Sequence, residues 1–375
     1  MKTKTINHLS IARRVILCTV VLYLLVFFLL NASKMSADNV RRLLYDFECV
    51  FKDIDVSDVI SFDESDNNSF SAFKNWLITL TNRGVSVYNE KNILISSFPA
   101  DYTNSIIATS GDNILIFERG SMDIFRANSF EIENEITLDE SIINAAVDNR
   151  GYSSVITDSY GYKGKLTVYN RAFEELYYLS TTAAYPIYTE FMNDDVVVMI
   201  SVAPEKESCN MVVSMHNFKT GEEVLSFTEK NAFPADVRKN SDGSIDILTA
   251  DSLYKLTIDK LEKIIDNIGG DIFHYSLGET FSVFSRYSDQ SKNISEVTAY
   301  NKNGEILFSK EIENLKYTAC NSEYIFISSG NIISVVDSGG NTVFEETEDF
   351  NIQKIVPAED GAYLIGTDSA VKIYV

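Results

Sequence analysis

Residues 294–310, ISEVTAYNKNGEILFSK, decide how the rest of the chain is read. Positions 294–300 alternate in polarity and are β-prone. Asn301-Lys302-Asn303-Gly304 is turn chemistry, and Gly304 takes a positive φ without steric cost. Positions 306–308 form the returning strand, so the stretch is a β-hairpin with a short turn.

Degraded copies of this hairpin recur along the chain. Apolar strand pairs begin near Trp76, Asn113, Ser153, Val196, Ile245, Thr280, Glu323 and Gly361, a mean spacing of about 41 residues. Each unit has an inner strand first, as at 141–147, 186–192, 271–276, 317–321 and 353–357. A second and a third strand follow, then a polar turn and a fourth, as at 93–96, 223–227 and 341–345. Four strands per ~40 residues is the pattern of a propeller blade. Eight second–third pairs are present but only seven outer strands follow them. The missing outer strand is expected within 49–60, which would share the last blade between the two ends of the fold and remove free edges. The expected fold is all-β, an eight-bladed propeller over 49–375. Seven blades is the alternative, because the first blade is faint around 65–73.

The 375 residues carry a formal net charge of −22, unevenly placed. Residues 1–42 hold seven of the 32 Lys and Arg and one acid, Asp38, which leaves 25 basic and 53 acidic residues beyond them. Such a field repels nucleic acid and anionic headgroups, and a solubilising surface explains it more simply than an acidic recognition face. Residues 15–33 carry no charge and span ~28 Å as a helix, about one hydrocarbon core. The core is too long for a cleaved leader, and no small-x-small site follows it. The expectation is a cytoplasmic tail at 1–14, a transmembrane helix at 15–33 and a juxtamembrane helix or linker at 34–48. The basic tail places the N-terminus in the cytoplasm and the propeller outside the cell membrane.

Chemistry-bearing residues are sparse. His216 and His274 lie on strands without a second ligand at metal spacing, and each reads as a satisfied sheet histidine. Cys49, Cys209 and Cys320 are widely spaced, make no C-x-x-C and read as buried free thiols. Segments 63–68 and 240–246 lack the full ligand ladder of a calcium loop and read as turns. No cofactor or metal site is expected.

The turns at 218–222 (FKTGE) and 301–305 (NKNGE) resemble those of quinoprotein-like propellers, including the outer-membrane-assembly lipoprotein propeller. The whole chain, one N-terminal span plus a divergent propeller, resembles an uncharacterised family of clostridial membrane-anchored propellers. The resemblance implies a fold and little about function. Where quinone-cofactor enzymes carry a docking tryptophan, this chain has Leu225 and Leu307, and its one tryptophan is Trp76.

Loop length points to a binding face. Three second–third loops are long: 158–164 (DSYGYKG), 203–210 (APEKESCN) and 287–293 (YSDQSKN). Long loops on a rigid scaffold are where binding tends to lie. The candidate residues are Tyr160, Tyr162, Lys163, Glu205, Lys206, Tyr287, Asp289 and Lys292. A membrane-tethered binding or scaffolding module with a protein partner is the expected function. The alternatives are an enzyme using the central channel, such as a lyase, glycan hydrolase or divergent quinoprotein, and a ligand-sensing ectodomain. The enzyme reading requires carboxylates or a His/Arg cluster converging at the channel mouth.

Overall fold

A computed structural model describes Thr19, 40–42, Leu44, 59–64, 68–73, 75–81, 83–99, 105–269, 271–288 and 293–375. It divides into two units, Met1–Asp55 and Val56–Val375. The transmembrane and juxtamembrane helices expected at 15–33 and 34–48 lie almost entirely outside the described residues, of which Thr19, 40–42 and Leu44 are helical. No helix among the described residues is long and apolar enough to cross a membrane.

The second unit is eight four-stranded antiparallel sheets. Seven are consecutive in sequence: blade 1 (69–98), blade 2 (105–137), blade 3 (142–181), blade 4 (185–229), blade 5 (234–265), blade 6 (272–313) and blade 7 (315–347). Blade 8 joins Lys354–Ala358, Gly361–Ile365 and Ser369–Tyr374 to an outer strand from the far end of the fold, Val59–Ser61. Val59 pairs with Val371 and Ser61 with Ser369. The closing strand thus begins ten residues into the expected window and ends one residue past it, and the seven-bladed alternative fails.

Burial follows position within the blade. Second strands such as Trp76–Thr81, Ile245–Thr249 and Gly361–Ile365 are buried at every residue. They read as unbroken apolar runs because both faces of each sheet are covered by neighbouring sheets. Outer strands such as Thr342–Thr347 are mostly exposed, and several carry acids: Glu133 and Glu135, Glu222 and Glu223, Glu345 and Glu346. Charge on an exposed edge discourages pairing with another chain, so the acidic surface has a local structural role. Eight apolar clusters lie between the blades. The one joining blades 8 and 1 contains Ile60, Leu77, Val356, Tyr363 and Ala370. A cluster at this seam makes the ring continuous.

The quoted turn shows why its residues are needed. The Asn301 side-chain oxygen accepts the N–H groups of Asn303 and Glu305, and Gly304 donates its N–H to the Asn301 carbonyl. Gly304 has φ +79°, and a Cβ there would meet the Ile264 carbonyl oxygen of blade 5 at 1.8 Å. Glycine is therefore required twice over, for conformation and for the approach of the neighbouring blade. The same turn sends Lys302 into blade 5, where its Nζ lies 2.6 Å from Asp246 Oδ2 and 3.0 Å from Asn240 Oδ1. Other third–fourth turns dock backwards in their own ways. Arg171 pairs with Glu133 of blade 2, Phe218 packs edge-on to Tyr152 of blade 3, and the Glu90 carbonyl accepts the Tyr374 hydroxyl of blade 8 at 2.6 Å. Varied residues thus provide the blade-to-blade contact, while Leu225 and Leu307 pack into neighbouring apolar clusters.

Two stability outcomes follow. Ile60→Ala should cost ~2–5 kcal/mol in denaturant unfolding, as a core truncation does, whereas a fold left open at blade 8 would lose under ~1 kcal/mol. Lys302→Met strands the fully buried Asp246 carboxylate and should cost ~3–5 kcal/mol, much of it recovered when Asp246→Leu is added. Equal losses in the single and double variants would show that the pair does not act as a unit.

Candidate functional site

Antiparallel order puts the second–third loops and the links between blades on one face of the ring. Asp158, after the second strand of blade 3, donates its N–H to the Ser141 carbonyl before the inner strand of that blade. Within this face the 158–163 loop stands out. Tyr160 is 97% exposed and Tyr162 52% exposed. Lys163 donates from Nζ to the Tyr185 hydroxyl at 2.6 Å and lies 4.3 Å from the centre of that ring. These residues, with Ile143, Pro186 and Ile187, line a cavity of about 480 Å³. Met122 and Phe233 are also exposed, on the blade 2 loop and the link into blade 5.

The other two expected loops differ. The strands of blade 4 extend to Pro204 and resume at Cys209, so half of 203–210 is paired strand rather than open loop. Only 205–208 turns. Glu205 donates its N–H to the Ser208 carbonyl, its carboxylate accepts the Asn210 amide at 2.6 Å, and Lys206 is exposed at the tip. Tyr287 closes the second strand of blade 6 and stacks on Phe273 at 4.2 Å between ring centres, which removes one ring face from any docking role. Asp289 and Lys292 lie outside the described residues. The structure thus brings Tyr160, Tyr162 and Lys163 together on one cavity.

Sequence reading raised the channel but named none of its residues. In blades 3 to 7 the inner strand carries a bulge at the same place, before Asn144, Tyr188, Asp236, His274 and Tyr317. A bulge re-aims the side chains that follow it. Here they reach the next blade. Asn144 Oδ1 accepts the Thr189 N–H at 3.2 Å, and the Tyr188 hydroxyl donates to the Ala235 carbonyl at 2.5 Å. Asp236 meets the Tyr275 hydroxyl. His274 lies 4.5 Å from the Tyr317 ring. Arg119 approaches Tyr188 and Asp236 from the blade 2 loop. Burial raises the Asp236 carboxyl and both tyrosine hydroxyls, and lowers His274.

The channel is open beside blades 6 to 8. One cavity of about 360 Å³ is lined by Tyr275, Tyr317, Lys354 and Arg238. A second, of about 270 Å³, shares Arg238 and Cys320 with it and continues to Asn75, Glu279 and Asn321. Blade 4 places Glu190 one residue before the end of its inner strand, and burial pushes its carboxyl up to about 7 despite the nearby Lys239. Among the described residues no three of His, Cys, Asp and Glu gather as metal ligands. His216 is buried and stacks on Tyr177, but its Nε2 has no hydrogen-bond partner, so it is not the satisfied sheet histidine expected. Cys320 is a buried free thiol, while Cys209 is only partly buried. The 240–246 segment is a turn, with Gly243 donating its N–H to the Asn240 carbonyl.

A ring of eight blades with this turn grammar places the chain among known proteins. A model of the family DUF5711, described as a family of unknown function, matches residues 48–374. The chain belongs to that family. No curated protein matches the sequence. BamB from Moraxella catarrhalis is similar in structure, with a TM-score of 0.54 at 12% identity over 84% of this chain and 97% of that one. The C-terminal WD40 domain of Sif2 gives 0.58 at 8% identity over 84% and 98%. Apo AztD from Citrobacter koseri gives 0.54 at 9% identity over 76% and 86%. At such identities the likeness concerns the fold alone.

Glu190 yields a pH signature. Its carboxyl is easier to protonate in the fold than in the unfolded chain, so its contribution to stability is full below pH ~4.5 and is lost as pH rises through about 7. Lys239 opposes this and Asp148 reinforces it. Glu190→Gln should flatten that segment of the stability–pH curve by ~1–3 kcal/mol in urea unfolding, and an unchanged slope would mean the carboxyl is solvated like any surface glutamate.

Proposed function

We propose that this chain is a non-enzymatic binding module of the cell envelope, tethered by its N-terminal apolar segment, which engages a protein partner through the loop face at blades 3 and 4. The observation that carries the reading is the 158–163 loop. It presents Tyr160 almost fully exposed beside Tyr162 and Tyr185, around a cavity, on a ring stiffened by eight interlocked sheets. Exposed tyrosines give large contact area at low conformational cost, which favours them at interfaces. The acidic surface disfavours anionic polymers and favours a partner with basic contacts. The uncharged 15–33 segment between basic flanks supports the tether, with the N-terminus in the cytoplasm. Val59–Ser61 runs toward the loop face, since Ser61 pairs with Ser369 at the second–third loop of blade 8.

The channel cluster does not favour catalysis over binding. It joins one arginine and one half-buried aspartate to tyrosines and a histidine, without, among the described residues, the paired carboxylates of a glycosidase or a nucleophile beside its base.

A photocrosslinking residue at Tyr160 in intact cells should trap a discrete protein adduct. The same probe at Ile306, exposed on the outer strand of blade 6, should not. Tyr162→Ala with Tyr185→Ala should reduce the Tyr160 adduct at least tenfold. Protease added to intact cells should remove the acidic domain. Identical adducts from both probes would sink the face assignment, and protection from protease would sink the orientation.

A further inference from the structure

The band of contacts that follows the inner-strand bulges has a gap. It runs from blade 3 to blade 7, each step joining one inner strand to the next. At the step from blade 7 to blade 8 it stops. The Tyr317 hydroxyl has no hydrogen-bond partner among the described residues, and neither has the Lys354 ammonium at the start of the blade 8 inner strand. The 360 Å³ cavity opens here, with both residues on its lining.

Lys354 is the anomaly. It is half-buried on the cavity wall, and burial lowers its pKa, with no neighbouring carboxylate acting in the opposite direction. Two acids of this part of the channel are already engaged. Asp236 meets Tyr275, and Glu279 pairs with Arg238 at 3.2 Å and accepts from Ser241. Arg238 lies on the same cavity and keeps Nη1 without a partner. Withdrawing a cation from water without a counter-ion is costly, and a bound anion removes that cost. The volume suits a small solute, and the lining offers an ammonium and a phenolic donor.

We propose that the channel beside blades 6 to 8 binds a small oxyanion, held by the Lys354 ammonium and the Tyr317 hydroxyl, with the unpartnered Arg238 Nη1 as a further donor. The site is separate from the loop face and does not depend on the protein partner. It makes the channel a ligand-binding compartment, with the anion completing the missing contact between blades 7 and 8.

Isothermal titration of the full chain in mild detergent at pH 7, with inorganic phosphate and separately with succinate, tests this. Saturable binding of one or both is expected, and the difference between them assigns the site to phosphate or carboxylate chemistry. Lys354→Met keeps the volume and removes the charge, and should weaken binding at least tenfold. Tyr317→Phe should weaken it severalfold. Tyr160→Ala with Tyr162→Ala should bind the anion as the parent does, so failure here is distinguishable from failure of the loop-face reading. Thermal unfolding of each variant establishes that it is folded. Binding of neither anion, or undiminished binding in folded Lys354→Met, would overturn the site.

Discussion

Each sheet in this protein has two apolar faces, and a sheet with two apolar faces can hide both only between two others. That constraint organises the structure. A linear stack would leave its first and last sheets half bare, so the row must return on itself. Eight apolar clusters for eight blades, the last of them joining Ile60 and Tyr363 to Leu77, are the result. The shared blade locks this return with hydrogen bonds as well as packing. Tyr363 donates its hydroxyl to the Asn75 carbonyl at 2.6 Å, and Asn75 Oδ1 accepts the Glu359 N–H at 2.7 Å. These contacts span 284 and 288 residues, so loop-closure entropy opposes them. Burial at the seam and the pairing of Val59–Ser61 must offset it together.

Closure leaves two sets of strand edges, which meet different fates. The outer edges face solvent and several carry glutamates. The inner edges face one another across the channel, where polar side chains link neighbouring blades. The bulges in blades 3 to 7 set that band at one height. Polar links between blades are directional where apolar packing is not, so they fix how each blade is rotated against the next. The turns do the same on the other face with whatever residue reaches: Lys302 to Asp246, Arg171 to Glu133, Phe218 to Tyr152.

What the sequence reveals is what is local. A second strand is an unbroken apolar run because both its faces are covered, and a turn is visible in Asn301 and Gly304 because the backbone there demands them. The closing strand was legible by counting, since a missing outer strand is an arithmetic fact. The loop at 203–210 was misjudged because Pro204, Cys209 and Asn210 have weak strand propensity, yet they pair once the long hairpin of blade 4 holds them. The stacking of Tyr287 was not legible because its partner, Phe273, lies on the inner strand of the same blade, beyond the reach of any spacing rule. The channel cluster was invisible for a stronger reason. Tyr188, Asp236, Tyr275, Tyr317 and Lys354 come from five blades and meet only after closure. One faint signal existed: Pro186 and Pro234 each precede a bulge, and proline at the start of a strand marks interrupted pairing.

The charge distribution bears on whether an anion could enter such an acidic protein. Net charge alone would forbid it, but net charge is not where the channel is. Several of the acids sit on the outer strands, three strand spacings from the inner edge, or ~14 Å at about 4.8 Å each. At physiological ionic strength the Debye length is ~8 Å, so charges on the outer rim are well screened at the axis through water, and less so through the blades themselves. Near the cavity the balance differs. Asp236 is half-buried beside a tyrosine with its carboxyl pushed upward, Glu279 and Arg238 offset each other, and Lys354 has no carboxylate against it. The rim and the axis therefore present different electrostatics to different solutes. The acidic edges keep chains apart and turn away polyanions too large for the channel, while a small anion in the cavity meets Lys354, Tyr317 and the free Nη1 of Arg238.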